Sequence, residues 1–180
     1  FVDRYGERTI YDVDFVPDAA AAPVRAAGLV LIEHLTHNVS RGHMDKWAGF
    51  YERLFNFREI RYFDIEGKLT GLKSKAMTSP CGKIRIPINE SSDDRSQIQE
   101  YLDQYHGEGI QHIALDSRDI YATVDALRAN GVELLDTPDT YYELLDTRLP
   151  NHGEPVAQVK SRKILVDGSP SGGLLLQICT

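Results

Sequence analysis

Two short runs constrain this chain more than anything else in it. Leu31-Ile-Glu-His-Leu-Thr-His-Asn-Val39 is apolar, bounded by turn-forming residues, and carries histidines at 34 and 37. Gly109-Ile-Gln-His-Ile-Ala114 repeats the local pattern: Ile32-x-His34-Leu35 is echoed, 78 residues later, by Ile110-x-His112-Ile113. Side chains alternate along a strand, so His34 and His37 point to opposite faces and only one can enter a given cavity. A repeat makes the two leading strands equivalent and brings them side by side, each with one histidine.

The segments after each histidine fit a repeated unit. After Arg41-Gly42, residues Met44, Trp47, Tyr51 and Leu54 fall at helical spacing, giving a helix that ends near Asn56. Three strand-like runs come next, Glu59–Ile65, Leu69–Thr78 and Lys83–Asn89, with turns at Gly67 and Pro80-Cys-Gly82. Leu72, Ser74 and Ala76 share a face, and Ile84, Ile86 and Ile88 oppose Arg85, Pro87 and Asn89. Proline cannot donate to a ladder, so the strand of Pro87 is expected at an edge or bulge. Ile98, Tyr101, Leu102 and Tyr105 define a helix entered from Asp93-Asp94 and stopped at Gly107.

The second unit starts at the strand of His112. Asp116 or Ser117 is expected to cap a helix carrying Ile120, Val124 and Leu127, and Asn130-Gly131 supplies its left-handed stop. Val132–Leu135 reads as a strand, Tyr141–Leu149 as a short helix in the loop-rich 137–154 region, and Lys163–Val166 with Leu174–Ile178 as a closing hairpin. Residues 1–14 read as a short strand or extended linker, and the stretch from Pro17 to Gly28, broken by Pro17 and Pro23, as a connector. The expected class is α+β. An entry segment at 1–28 precedes paired βαβββ modules, about 29–108 and 109–180, whose curved sheets enclose a cavity.

Bulk properties exclude several functions. With 180 residues the chain can build one domain or two small modules sharing a core. Its formal net charge of -7, with basic residues dispersed, argues against nucleic acid as a partner. No apolar run approaches membrane-spanning length, so no membrane partner is expected. Cys81 and Cys179 lack C-x-x-C spacing and suit a reducing cytosol, hence a cytoplasmic location. The first residue is Phe1 rather than Met, and the chain ends on the apolar Leu174–Thr180 run. A piece of a longer protein is the expectation.

A single histidine on a strand is more often a core or surface residue than a ligand. Two at matching positions of a repeat strengthen the ligand reading. Neutral imidazoles suit Fe, Zn, Ni or Cu, and two of them with one carboxylate make the facial triad of non-haem Fe(II). The alternative is a pair of buried histidines donating to backbone carbonyls, in a metal-free binding fragment. His37, His43, His106 and His152 lack a repeat partner and are expected at the surface or behind the ligands. Gln177 interrupts an apolar strand, and alternation sets it with Cys179 against Leu174, Leu176 and Ile178. It meets either a ligand or water at a sheet edge. Ser74, Asn89 and Gln97 supply further neutral polar groups, suited to orienting an uncharged or chelated substrate.

Several ordered motifs then carry a resemblance. His34-Leu-Thr-His-Asn-Val39, Trp47-Ala-Gly-Phe-Tyr-Glu52, Pro87-Ile-Asn-Glu90, Ser96-Gln-Ile-Gln99, Gly107-Glu-Gly-Ile-Gln-His112, Arg148-Leu-Pro-Asn-His-Gly-Glu-Pro155 and Leu174-Leu-Leu-Gln-Ile178 are similar to the 4-hydroxyphenylpyruvate dioxygenases. The resemblance spans essentially the whole chain. It implies the vicinal-oxygen-chelate (glyoxalase/bleomycin-resistance/dioxygenase) fold, an open barrel, and the C-terminal catalytic half of such an enzyme. It implies Fe(II) held by His34 and His112, with a third ligand, a glutamate, beyond residue 180. It makes Ser74, Asn89, Gln97 and Gln177 substrate-binding groups and Pro87 part of the pocket wall. Gln111 is a pocket residue in the family, but strict alternation turns it away from the His112 face, so it stays outside the expected set. Cys179 stands where the family usually has a Phe that shapes the pocket. The implied partners are an α-keto acid and O2, with a homo-oligomer as the full-length protein. Hydroxymandelate synthase is the enzymatic alternative. The piece itself is expected to hold iron weakly and to be inactive.

Overall fold

The computed structural model describes residues 11–16, 18–20, 25–66, 71–93, 95–169 and 173–180. The order of elements is α1 (Tyr11–Asp14), β1 (Leu29–Val39), α2 (Met44–Phe55), β2 (Arg58–Glu66), β3 (Gly71–Thr78), β4 (Arg85–Ser91), α3 (Gln97–Tyr105) and β5 (Gly109–Ser117). Then come α4 (Ile120–Ala129), α5 (Asp139–Glu143), α6 (Leu145–Arg148), α7 (Val156–Arg162), β6 (Leu165–Ser169) and β7 (Gly173–Gln177). The first half is a βαβββ unit, as its periodicity requires. Residues 11–14 form one helical turn rather than the extended segment expected there; residues 1–10, Pro17, Pro23, Gly67, Leu69 and Asp94 lie outside the described residues.

Five strands make one sheet in the order β2-β3-β4-β1-β5, and β6 and β7 form a separate hairpin. β1 pairs with β4 in parallel and with β5 antiparallel, so the two leading strands are neighbours. One face of the sheet carries α2. Val39, Met77, Ile86 and Ile88 pack there with Met44 and Ala48, and Leu35, Trp47 and Tyr51 close the edge. The 3.6-residue spacing of apolar groups on α2 matches this cover, and Asn56, left-handed at φ 55°, ends the helix.

A second apolar cluster joins Val124 of α4, Tyr142, Leu145, Val159 of α7, Ile164 and Val166. Arg148 ties it together by donating to the Tyr141 hydroxyl and the Val166 carbonyl, both at 2.7 Å. Among the described residues no helix is long and apolar enough to cross a membrane.

Several expectations need correction. Pro87 lies on β4, an interior strand, yet β1 pairs with β4 only over Ile88–Glu90, leaving Pro87 one residue outside that ladder. Ile84 precedes β4 and is exposed instead of joining Ile86 and Ile88 inside. Ser96 caps α3 by accepting from the Gln99 N–H, a role expected of the Asp93-Asp94 pair. Asp119 caps α4 by accepting from Ala122, while Ser117 instead accepts from the Asp119 N–H. Val132–Leu135 is no strand; Val132 N–H donates to the Leu127 carbonyl at 3.0 Å and Leu135 N–H to the Cys179 carbonyl at 2.9 Å.

Candidate metal centre

Strand register sets which side chains face away from α2. Asn38 pairs with Asn89, Asn89 with Ser74, and Pro87 with Ala76. Across the other edge of β1, Thr36 pairs with His112 and His34 with Ala114. Directly paired residues share a face. His34, Thr36, Asn38, Ser74, Pro87, Asn89 and His112 therefore all project from the open face of one sheet. Gln97 and Gln177 lie elsewhere: Gln97 opens α3 and Gln177 ends β7 of the hairpin, both exposed.

The two histidines meet. Their Nε2 atoms are 3.2 Å apart, and their rings cross edge-on with centroids 5.4 Å apart. The Thr36 hydroxyl oxygen lies 2.9 Å from His112 Nε2. On its far side His34 gives its Nδ1 hydrogen to Glu33 Oε2, and Arg85 Nη1 donates to the other oxygen of that carboxylate. His112 does the same with Gln111 Oε1. Burial raises the Glu33 carboxyl, but the His34 and Arg85 hydrogen bonds and charges outweigh it and hold the group below its ordinary range. Burial, with the nearby His34, pushes the His112 imidazole down toward its neutral form. With Nδ1 protonated on each ring, both Nε2 lone pairs face one space.

A bulge explains how residues adjacent to the histidines reach them. In the β1–β5 register Ile32 pairs with Leu115 and His34 with Ala114, so Glu33 is skipped. Thr36 pairs with His112 and His37 with Ile110, so Gln111 is skipped on the other strand. An extra residue in a bulged strand leaves the alternating pattern and is re-aimed. Strict alternation, which turns Gln111 away from His112, fails here for that reason.

Imidazole nitrogens bind divalent zinc at about 2.0–2.1 Å, so two nitrogens up to about 4.2 Å apart can share one ion. The observed 3.2 Å suits adjacent coordination positions. Two facing lone pairs repel one another unless a cation or proton lies between them, so these donors fit a metal ion. Among the described residues, no group of three His, Cys, Asp or Glu could hold one. The pair supplies two donors and the sheet leaves the third to be found. Beneath it Thr36 is 3% exposed and Asn38 4%, and Asn38 Oδ1 is buried without a hydrogen-bond partner. Neither was among the residues expected at the site, although their i+2 and i+4 spacing from His34 sets both on its face.

The other histidines have different surroundings. His37, expected at the surface or behind the ligands, is buried on the α2 side, where its Nδ1 meets the Tyr51 hydroxyl at 3.0 Å and Trp47 crosses its ring. Burial lowers its pKa. His43 donates from Nδ1 to Glu108 Oε1 at 2.6 Å, and Glu108 also accepts from the Ser40 N–H and Trp47 Nε1, both at 2.8 Å. Burial opposes ionisation of Glu108, but these donors hold its carboxyl down at about 2. Glu108 thereby ties the start of β5 to the first turn of α2. Gly109 comes next, where a Cβ would sit 2.6 Å from the Tyr105 ring.

The chain is similar to several known proteins. The chain is 65% identical to a 4-hydroxyphenylpyruvate dioxygenase of Pseudomonas aeruginosa over 99% of its own length and 51% of that protein's. It is 62% identical to hemolysin VllY of Vibrio vulnificus, covering all of this chain and 52% of that one. The chain thus spans about half the length of the curated relatives it matches. Among solved structures, a variant of 4-hydroxymandelate synthase from Streptomyces coelicolor matches with a TM-score of 0.70 at 29% identity, over 82% of this chain and 42% of that one. Residues 31–145, which include both histidine strands, match the family model described as Glyoxalase/Bleomycin resistance protein/Dioxygenase superfamily. That match covers more than half of the chain, and the chain belongs to that superfamily.

Proposed function

We propose that these residues form the C-terminal catalytic part of a 4-hydroxyphenylpyruvate dioxygenase, which converts 4-hydroxyphenylpyruvate and O2 to homogentisate and CO2. The observation that carries this reading is the 3.2 Å approach of His34 and His112 Nε2 across paired leading strands. The 65% identical relative bears that enzyme's name. His34 and His112 would hold Fe(II), with a glutamate beyond Thr180 as third ligand.

Two neutral imidazoles and one carboxylate leave adjacent positions open for a chelating α-keto acid and O2. Bound Fe(II) would supply the redox chemistry that O2 requires. The chain's own groups bind and orient. Ser74 and Asn89, on the face of the histidines, offer neutral hydrogen bonds to the phenol, and Pro87 forms wall. Neutral amides keep their grip without titrating. No further co-substrate is needed: the keto acid's carboxyl leaves as CO2, one oxygen atom completes the shortened side chain's carboxylate, and the other becomes the new ring hydroxyl. A cytoplasmic role in tyrosine and phenylalanine catabolism, and a homo-oligomeric full-length protein, complete the proposal.

A second reading, a hydroxymandelate synthase-like dioxygenase, is favoured by the 0.70 TM-score to that enzyme. Pro87 and Asn89 resemble the ring-hydroxylating pattern and favour the first. Product analysis by mass and chromatography, on full-length protein with Fe(II), 4-hydroxyphenylpyruvate and O2, decides. Homogentisate supports the first reading, 4-hydroxymandelate the second, and neither product from iron-loaded protein refutes both.

A further inference from the structure

The residue before each histidine does the same work in both halves of the chain. Glu33 and Gln111 occupy equivalent places in the repeat, each is skipped by its partner strand, and each accepts the Nδ1 hydrogen of the histidine next to it. The match is in geometry and not in charge: one acceptor is a carboxylate, the other an amide. Only the carboxylate has a further tie. Arg85, at the start of β4, holds the Glu33 oxygen that His34 does not use.

From this we infer that Glu33, pinned by Arg85, is the positioning residue for His34: it fixes the imidazole with Nδ1 protonated and Nε2 directed at His112. The inference rests on the reading of His34 and His112 as a metal pair. A bulge is needed for it, because on a regular strand Glu33 would project from the opposite face. Arg85 reaches across from another strand, so the angle of the His34 ring depends on how β4 sits beside β1. An anionic acceptor also draws the Nδ1 proton and makes Nε2 a stronger donor, which an amide does less. The two histidines are therefore unequal ligands, His34 the better donor and His112 the weaker.

The test uses full-length protein under anaerobic conditions and Co(II) as probe. Glu33→Ala is expected to weaken Co(II) binding about 10–100-fold and to shift the visible Co(II) spectrum, with Glu33→Gln losing less because an acceptor remains. Arg85→Ala is expected to fall near Glu33→Gln. In the metal-free protein, 15N shifts should report His34 as the Nδ1–H tautomer and as a tautomer mixture in Glu33→Ala, a change that a merely structural role would not produce. Circular dichroism checks folding, and Glu33→Gln keeps the test alive if Glu33→Ala does not fold. Co(II) affinity within twofold of the parent in both Glu33 variants, with an unchanged His34 tautomer, overturns the inference. Histidine variants separate the two readings. If His34→Ala and His112→Ala abolish Co(II) binding while both Glu33 variants bind within twofold of the parent, only the positioning role fails; if the two histidine variants bind like the parent, the metal pair fails with it.

Discussion

His34 and His112, 78 residues apart in sequence, bring their Nε2 atoms within 3.2 Å of each other. They do so because β1 and β5 are antiparallel neighbours in one sheet, with Thr36 opposite His112 and His34 opposite Ala114. The histidines are thus diagonal neighbours on one face, close enough for their rings to converge. The same face carries Ser74 and Asn89, reached through β4 and β3.

Asn89 lies across from Ser74 and Asn38 on that face. On the proposed reading, Asn89→Ala in the full-length protein removes one neutral hydrogen bond to substrate, on the order of 1 kcal/mol. We expect kcat/KM to fall about fivefold for 4-hydroxyphenylpyruvate while iron content is unchanged. Steady-state kinetics alongside metal analysis check it.

Ile88 is fully buried between the sheet and α2, next to the residue that faces the site. Ile88→Ala is expected to cost roughly 2–5 kcal/mol through lost burial and an unfilled cavity. Denaturant unfolding of the variant against the parent measures this.

Ser96 caps α3 through the Gln99 N–H at 3.2 Å and stands directly before Gln97. Ser96→Ala leaves an orphan N–H at the helix start and is expected to cost about 1 kcal/mol. Hydrogen exchange should show the loss in the first turn of α3.

Glu108 gives the fold a pH dependence. Its side chain is 13% exposed, and its pKa is held at about 2 against an ordinary 4.5. A depressed carboxyl contributes stability in full above the unfolded value and loses it as the pH falls. The contribution is therefore present above about pH 4.5 and disappears between there and about pH 2. Glu108→Gln should flatten unfolding stability across that window, which denaturant titrations at several pH values will show.

Much of this was legible in the sequence because period and repeat are strong signals. The apolar spacing of Met44, Trp47 and Tyr51 marked α2, and the echo of Ile32-x-His34 in Ile110-x-His112 marked the pairing of leading strands. What alternation could not show is where it breaks. The bulges at Glu33 and Gln111 depend on the β1–β5 register, a long-range property, and they decide which side chains reach the histidines. Helix α7 escaped notice for another reason: it is only seven residues long. Its signals, Pro155 before the first turn, Val156 and Val159 on one face and Lys160 and Arg162 at the end, are weak in so short a segment. Pro87 misled because strand order decides whether a ladder needs its N–H.

Iron stoichiometry of the full-length protein, measured for the parent, His34→Ala and His112→Ala after anaerobic loading and desalting, tests the central claim most directly. The account predicts close to one iron per chain in the parent and almost none in either variant. Parent-like iron retained by both variants would contradict it.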